Sequence, residues 1–295
     1  MRNIISKIGE HAGALPMSWS RINLLLTCPR SFDLKYRKRL KEQDEPEDPS
    51  AAEAGSLMHK TLEYAVERCM RAKEFAYDKA CYEVLFSVML EQATYPGTRQ
   101  RMLSLREPAG RVLARLLGMA AKFGADVLTE HRFAMDRNWE VMTRFPCREI
   151  AWQGYADLTM IAGGKGIIVD YKSEPYTEER SEKTELQTML YAYALLRGFP
   201  EVQKVQTVTA FLQDERFVTA GSYARLALPA LEERLKSLFT DYLEALESGD
   251  AEPRTSGLCQ WCAFSRGCPK ENAWRQEKSR GTSECPKACE SSGGT

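Results

Sequence analysis

Apolar positions divide the chain into a helical first half and a strand-bearing second half. Over residues 17–41, Ile22, Leu25, Leu26 and Phe32 fall on one stripe, with Ser18 or Ser20 placed to cap it, which predicts a helix. Pro29 inside that stretch predicts a kink or the start of a second helix. Residues 42–50, EQDEPEDPS, read as an acidic, proline-bearing loop. From Ala51 to Val127 the spacing is helical, with breaks expected at Tyr95-Pro96-Gly97 and at Glu107-Pro108.

At Thr129 the period changes. Alternation over 130–136 predicts a strand, and 139–145, 150–162 and 166–171 predict three more. Gly163-Gly164 lies between the last two and is a hairpin signal. A helix over 182–196 follows, stopped by Gly198 and Pro200. Residues 205–212 and 216–220 form a second hairpin, and 228–248 an amphipathic helix. This order predicts an α/β fold: a small mixed, mostly antiparallel sheet flanked by helices. It places a helical insertion at about 60–128, a core at 129–248 and a flexible tail at 279–295.

A chain of 295 residues, 43% hydrophobic, is long enough to bury a sizeable core. Its 41 basic and 41 acidic residues cancel, so any nucleic-acid binding relies on local patches. No apolar run approaches the roughly 18–20 residues that cross a bilayer, and Arg2, Lys7, Glu10 and His11 interrupt the start, so the expected setting is cytoplasmic, with no membrane partner.

The first candidate chemistry lies on the glycine hairpin. With a two-residue turn at Gly163-Gly164, Ala162 faces Lys165, and counting outward pairs Asp157 with Asp170. Opposed residues of an antiparallel pair share a face, with Cβ atoms about 4.5–5.5 Å apart. Two such carboxylates repel unless a cation sits between them, and hard oxygen donors suit Mg²⁺ or Mn²⁺. Lys172 projects from the same face as Asp170, where an ammonium can orient or help deprotonate water. The plainer alternative is that these are strand-end polar residues and a solvated lysine. Gln187 and Tyr191, spaced i,i+4, share a face of the following helix with Leu190 and Ala194, and a buried glutamine there calls for a polar partner. His59 becomes a metal-ligand candidate if the fold carries it to the carboxylates.

Two further patches stand out. Lys35, Arg37, Lys38, Arg39 and Lys41 place five basic residues in seven positions around Tyr36, with Arg21 and Arg30 nearby. This is either a DNA-binding segment, in which Lys and Arg neutralise phosphates and Tyr36 stacks on a base, or a solvated helix end balanced by the acidic loop. Of nine cysteines, Cys259, Cys262 and Cys268 form a C-x2-C-x5-C run. Three thiolates leave one ligand missing; Cys28, Cys285 and Cys289 are the available fourths, and iron–sulfur, Zn²⁺ and unbound thiols all remain as readings. Cys69, Cys81 and Cys147 read as ordinary thiols, and Trp261 and Phe264 as core ahead of base-stacking residues.

Taken in order, His59, Gly154-x-x-Asp157, Asp170-x-Lys172 and Gln187-x-x-x-Tyr191 resemble the RecB-like branch of the PD-(D/E)XK nuclease superfamily. Ser18-Trp19-Ser20-Arg21-Ile22, Cys28-Pro29-Arg30-Ser31-Phe32 and Gly55-Ser56-Leu57-Met58-His59 are similar to its opening segments, so the resemblance runs to about Pro269. It implies a restriction-endonuclease-like core and a metal-dependent DNA nuclease, an exonuclease of repair, recombination, CRISPR adaptation or phage DNA processing. It also implies that His59, Asp157, Asp170 and the Tyr171 carbonyl hold the metal, Lys172 assists water, and Gln187 and Tyr191 position the catalytic groups or the DNA backbone. The AddB-like and CRISPR-associated exonucleases it resembles join one N-terminal cysteine to three C-terminal ones. That implies a [4Fe–4S] cluster on Cys28, Cys259, Cys262 and Cys268, closing residues 257–268 onto Cys28 within one domain spanning 1–278. The alternative function is a non-catalytic DNA-binding scaffold acting through a helicase or integrase partner.

Overall fold

A computed structural model of the chain describes residues 16–41, 49–142, 144, 149–247, 251–256, 259, 262–265 and 268, with the backbone alone for 179–185. Most of the acidic loop, part of the expected strand at 139–145, Cys147, Trp261, Cys285, Cys289 and the tail lie outside the described residues. The chain divides into two compact units: residues 1–19 with 48–243, and residues 20–47 with 244–295.

The larger unit begins its helical layer with α3 (Ser50–Ala72), which follows the smaller unit's α1 (Trp19–Thr27) and α2 (Pro29–Phe32). The buried stripe of α3, Ala54, Leu57, Met58, Leu62, Ala65 and Val66, repeats at helical spacing. Helices α4 (Lys79–Glu91) and α5 (Pro96–Phe123) pack on it. Asp78 caps α4 by accepting from the Cys81 N–H at 3.0 Å. Glu53 of α3 accepts from Thr94 N–H, Tyr95 N–H and the Thr98 hydroxyl, tying the start of α5 to α3.

Pro108 does not break the helical run as the sequence suggested; it sits inside a continuous α5. Its flank is buried on both sides by Leu105, Ala109, Val112 and Leu113, and packing outweighs the one lost backbone hydrogen bond.

The sheet runs β1 (Asp126–Met135), β2 (Trp152–Ala162), β3 (Lys165–Lys172), β4 (Lys204–Phe211) and β5 (Arg216–Ala224), ordered as in the sequence. All neighbours are antiparallel except β3 and β4, which α6 (Glu178–Gly198) connects as a parallel crossover. Gly163 and Gly164 have φ of 54° and 73°, the left-handed pair that a tight hairpin turn requires. Among the described residues, the expected strand at 139–145 appears as one bridge, Met135 to Val141. Trp139 is buried at φ 64° against Tyr193 and Phe239, and that side-chain anchoring displaces a regular strand. Helix α7 (Leu228–Glu247) closes the larger unit.

The sheet is covered on both faces. Leu158, Met160, Val169 and Tyr171 join the cluster formed by α3 and α5. On the opposite face, a Cβ at Gly166 would lie 2.6 Å from Leu195 of α6. Val127 and Met160 belong to the α3–α5 face, yet Phe133 stacks on Tyr191 of α6 and a Cβ at Gly154 would touch the same ring at 2.4 Å. Residues of one parity in β1 and β2 therefore change faces along the strands. The change falls at Glu130 and Asp157, the one position missing from an otherwise continuous β1–β2 register.

In the smaller unit, Pro29 opens α2 at its first position, as the sequence allowed, and a π-helical turn over Asp33–Arg37 follows. Among the described residues, no helix is long and apolar enough to cross a membrane.

Candidate active site

The glycine turn sets the register that the sequence predicts as far as Leu158 opposite Val169. Asp157 and Asp170 come next in that count, but the ladder ends before them. The Tyr171 N–H instead donates to Asp157 Oδ2 at 2.6 Å, so a side chain replaces the strand partner at the mouth of the hairpin.

His59 arrives from α3. Its Nδ1 lies 3.3 Å from Asp157 Oδ1 and its Nε2 3.1 Å from the Tyr171 carbonyl. Burial lowers the imidazole's proton affinity, but the Asp157 charge and hydrogen bond outweigh it and push the pKa up to about 9. As an imidazolium, His59 donates from both nitrogens and bridges a carboxylate to a carbonyl.

Glu130 completes a cluster whose ligand atoms, one each from His59, Glu130 and Asp157, all lie within 4.8 Å of one another. Burial, with the nearby Asp157 and Glu63 charges, pushes the Glu130 carboxyl up to about 7. The sequence reading took Glu130 only as the start of an alternating strand. No local count finds it, because residues 136–151 separate β1 from β2 and no tight turn fixes their register.

Asp170 is 5% exposed and lies on the α6 side. Its Oδ1 accepts from Gln187 Nε2 at 3.0 Å, and its Oδ2 is 2.7 Å from Lys172 Nζ. Gln187 also donates to the Tyr191 hydroxyl at 3.3 Å, so the polar partner expected of a buried glutamine is Asp170. Burial raises the Asp170 carboxyl, with Lys172 opposing it; Asp170 in turn holds the Lys172 ammonium above its ordinary range against burial. Burial likewise raises the Tyr191 hydroxyl. The structure thus brings His59, Asp157, Asp170, Tyr171, Lys172, Gln187 and Tyr191 to one end of the sheet. Within it, Asp157 sits in the histidine cluster and Asp170 in the lysine–glutamine network.

One imidazole, carboxylate oxygens and a backbone carbonyl converging at a sheet end suit a hard divalent cation. The ligand atoms of His59, Glu130 and Asp157 lie within 4.8 Å of one another, and His59 Nε2 lies 3.1 Å from the Tyr171 carbonyl, a donor set that fits such an ion.

In the smaller unit, burial raises the Cys28 thiol, but N–H groups of Arg254, Ser31 and Arg30 and the Ser31 hydroxyl outweigh it and lower its pKa. Ser31 Oγ is also 3.3 Å from Cys262 Sγ, so Cys28 and Cys262 share a neighbour. The Ser256 N–H donates to Cys259 Sγ at 3.3 Å, and the Cys268 N–H to the Ser265 carbonyl at 3.0 Å. Among the described residues, no three cysteine sulfurs lie within 4.8 Å of one another. Phe264 is buried, as a core residue should be.

Three of the basic residues offered for DNA are engaged by one acidic side chain, although Lys38 stays exposed. Arg37, Lys38 at 3.3 Å and Arg30 at 3.7 Å all pair with the buried Asp33. Arg21 and Lys35 lie over the Tyr36 ring at 5.4 and 5.8 Å, and Arg39 and Lys41 are exposed.

Acid, acid and lysine at the end of a mixed five-stranded sheet, with a helix-borne histidine beside them, define a metal-dependent nuclease. The chain belongs to the PD-(D/E)XK nuclease superfamily, whose sequence profile matches residues 16–269. Among solved structures it is similar to SSO0001, at 16% identity over 72% of this chain and 85% of that one, with a TM-score of 0.34. It is also similar to a putative exonuclease from Eubacterium rectale, at 14% identity over 84% and 86%, with a TM-score of 0.44. No curated protein matches the chain.

Proposed function

We propose that the chain is a DNA exonuclease of the RecB-like and AddB-like branch, using Mg²⁺ or Mn²⁺ at the His59–Asp157 end of the sheet. The observation that carries this reading is the adjacency of two unlike networks. A His–carboxylate cluster is built for a cation, and a buried Asp170–Lys172 pair stands next to it. A divalent cation there supplies a lowered pKa for water and neutralises charge on a phosphate oxygen. Asp157 and His59 hold the cation side of the site, while Gln187 fixes the Asp170 rotamer. Asp170 keeps Lys172 charged and aimed, so that its ammonium orients water or accepts charge at the phosphate.

The test is digestion of linear, end-blocked and circular DNA, single- and double-stranded, with Mn²⁺. Loss on linear DNA alone, abolished by Lys172→Ala, is the expected result. Cutting of circles would make it an endonuclease. No cutting of any substrate would favour a scaffold for a helicase or integrase.

We further propose a [4Fe–4S] cluster on Cys28, Cys259, Cys262 and Cys268. Supporting it are the thiol-directed N–H groups and the Ser31 hydroxyl at Cys28 and Cys262. Anaerobically purified protein should be brown, with absorbance near about 400 nm that Cys262→Ser removes. A colourless, zinc-containing protein would overturn it.

A further inference from the structure

The family motif names His59, Asp157, Asp170 and Lys172, and says nothing of β1. Yet β1 contributes the third member of the His59–Glu130–Asp157 ligand cluster. We propose that Glu130 is a protein ligand of the cation, supplied from β1 opposite Asp157 and outside the residues the motif names. The inference rests on the metal-dependent reading above.

Three independent features converge on Glu130. By register it is the residue facing Asp157, since Thr129 pairs with Leu158 and His131 with Ala156. That single pair is absent from the ladder, and the pleats of both strands invert around it. The inversion moves the two carboxylates out of the normal alternation that would send them to a packed face.

Second, Glu130 has φ 45°, a left-handed value inside a strand where a side-chain-bearing residue pays a conformational cost. Its effect is to turn a carboxylate toward His59 and Asp157.

Third, the Tyr171 hydroxyl is buried without a hydrogen-bond partner, in the field of Asp157 and Glu130. Asp157 gives one oxygen to the Tyr171 N–H and the other to His59. Glu130 brings a carboxylate oxygen within 4.8 Å of the ligand atoms of both Asp157 and His59, so it is placed to add an anionic donor beside them.

Glu130 would act on affinity and on placement of the cation. The fold supplies the ligand at a position where a strand would otherwise carry a ladder residue. A short-motif comparison therefore passes over it.

The test is Mn²⁺ titration of the full chain by calorimetry, with folding checked by circular dichroism in EDTA. Glu130→Gln should weaken Mn²⁺ binding about tenfold or more, and Glu130→Asp should recover part of it. Glu63→Gln removes a neighbouring charge but no donor, and should change affinity less than about threefold, in line with a charge effect at surface range. Glu130→Gly should be at least as stable as wild type in EDTA, because glycine accepts the left-handed backbone, while binding Mn²⁺ as weakly as Glu130→Gln. If Glu130→Gln fails to fold, Glu130→Gly takes its place. Wild-type affinity in both, with binding lost in Asp157→Asn, would overturn the role of Glu130 and leave the nuclease reading intact. A wild-type chain that binds no Mn²⁺ would overturn both.

Discussion

Lys172 and Asp170 are a pair whose members cannot be removed singly without consequence. Lys172→Ala leaves a nearly buried carboxylate without its ammonium and with Gln187 as its hydrogen-bond partner, and such uncompensated charges cost about 3–5 kcal/mol at full burial. With the lysine side chain 29% exposed, about 2 kcal/mol is the expected loss in urea denaturation. Lys172→Met combined with Asp170→Asn should lose less than the two single losses summed, because the pair is removed together. His59 gives a prediction in pH. Its folded pKa of about 9 lies above its unfolded value of about 6.5, so its contribution is full below pH 6.5 and disappears as pH rises through 9. Metal-free protein should therefore lose melting temperature between pH 7 and 9.5, and His59→Asn should flatten that decline. Of these residues the sequence exposed Asp157, Asp170 and Lys172 through a turn and a parity count. It also offered His59, but its arrival depends on α3 crossing to the sheet, a long-range packing event that no local pattern contains.

Among the elements, the strands β2 and β3 were legible to within a few residues because Gly163-Gly164 fixes their turn chemically. Helix α5 departs from the sequence pattern at Pro108 because local propensity favours a break and tertiary burial overrides it. The face change at Glu130 and Asp157 was not legible at all: alternation continues on either side, and only the contacts reveal that its phase has reversed. Gly154 belongs to that reversal. A methyl there would stand 2.4 Å from the Tyr191 ring, itself hydrogen-bonded to Gln187. Gly154→Ala should cost about 1–3 kcal/mol by overpacking and should lower activity beyond that loss, since displacing Tyr191 disturbs the hydrogen bonds that set Asp170. Thermal denaturation read alongside turnover on linear DNA separates the two effects.

For the whole molecule, charge neutrality sets the expectation for DNA. With 41 basic against 41 acidic residues, and Arg30, Arg37 and Lys38 each spent partly on Asp33, few phosphates should be neutralised at once. The slope of log affinity against log salt should be shallow, and Lys35→Ala should reduce it by about 1 or less. A steep slope left unchanged by Lys35→Ala would place the DNA elsewhere. Composition calls for local patches, but does not reveal that a buried aspartate pairs with three of the seven basic groups. Asp33 reads as one more charge in a polar stretch until the π-helical turn closes over it.

The clasp that Glu53 makes with Thr94, Tyr95 and Thr98 reaches further than two helices. Those hydroxyl and amide donors hold its carboxyl down at about pH 2, so the clasp endures acid that protonates an ordinary glutamate and lets go only as pH falls toward 2. Glu53 and His59 ride on the same helix. The imidazole is thus carried on a bracket whose bolt is acid-resistant, and mild acidification should change what the nuclease can hold long before it changes where that histidine stands.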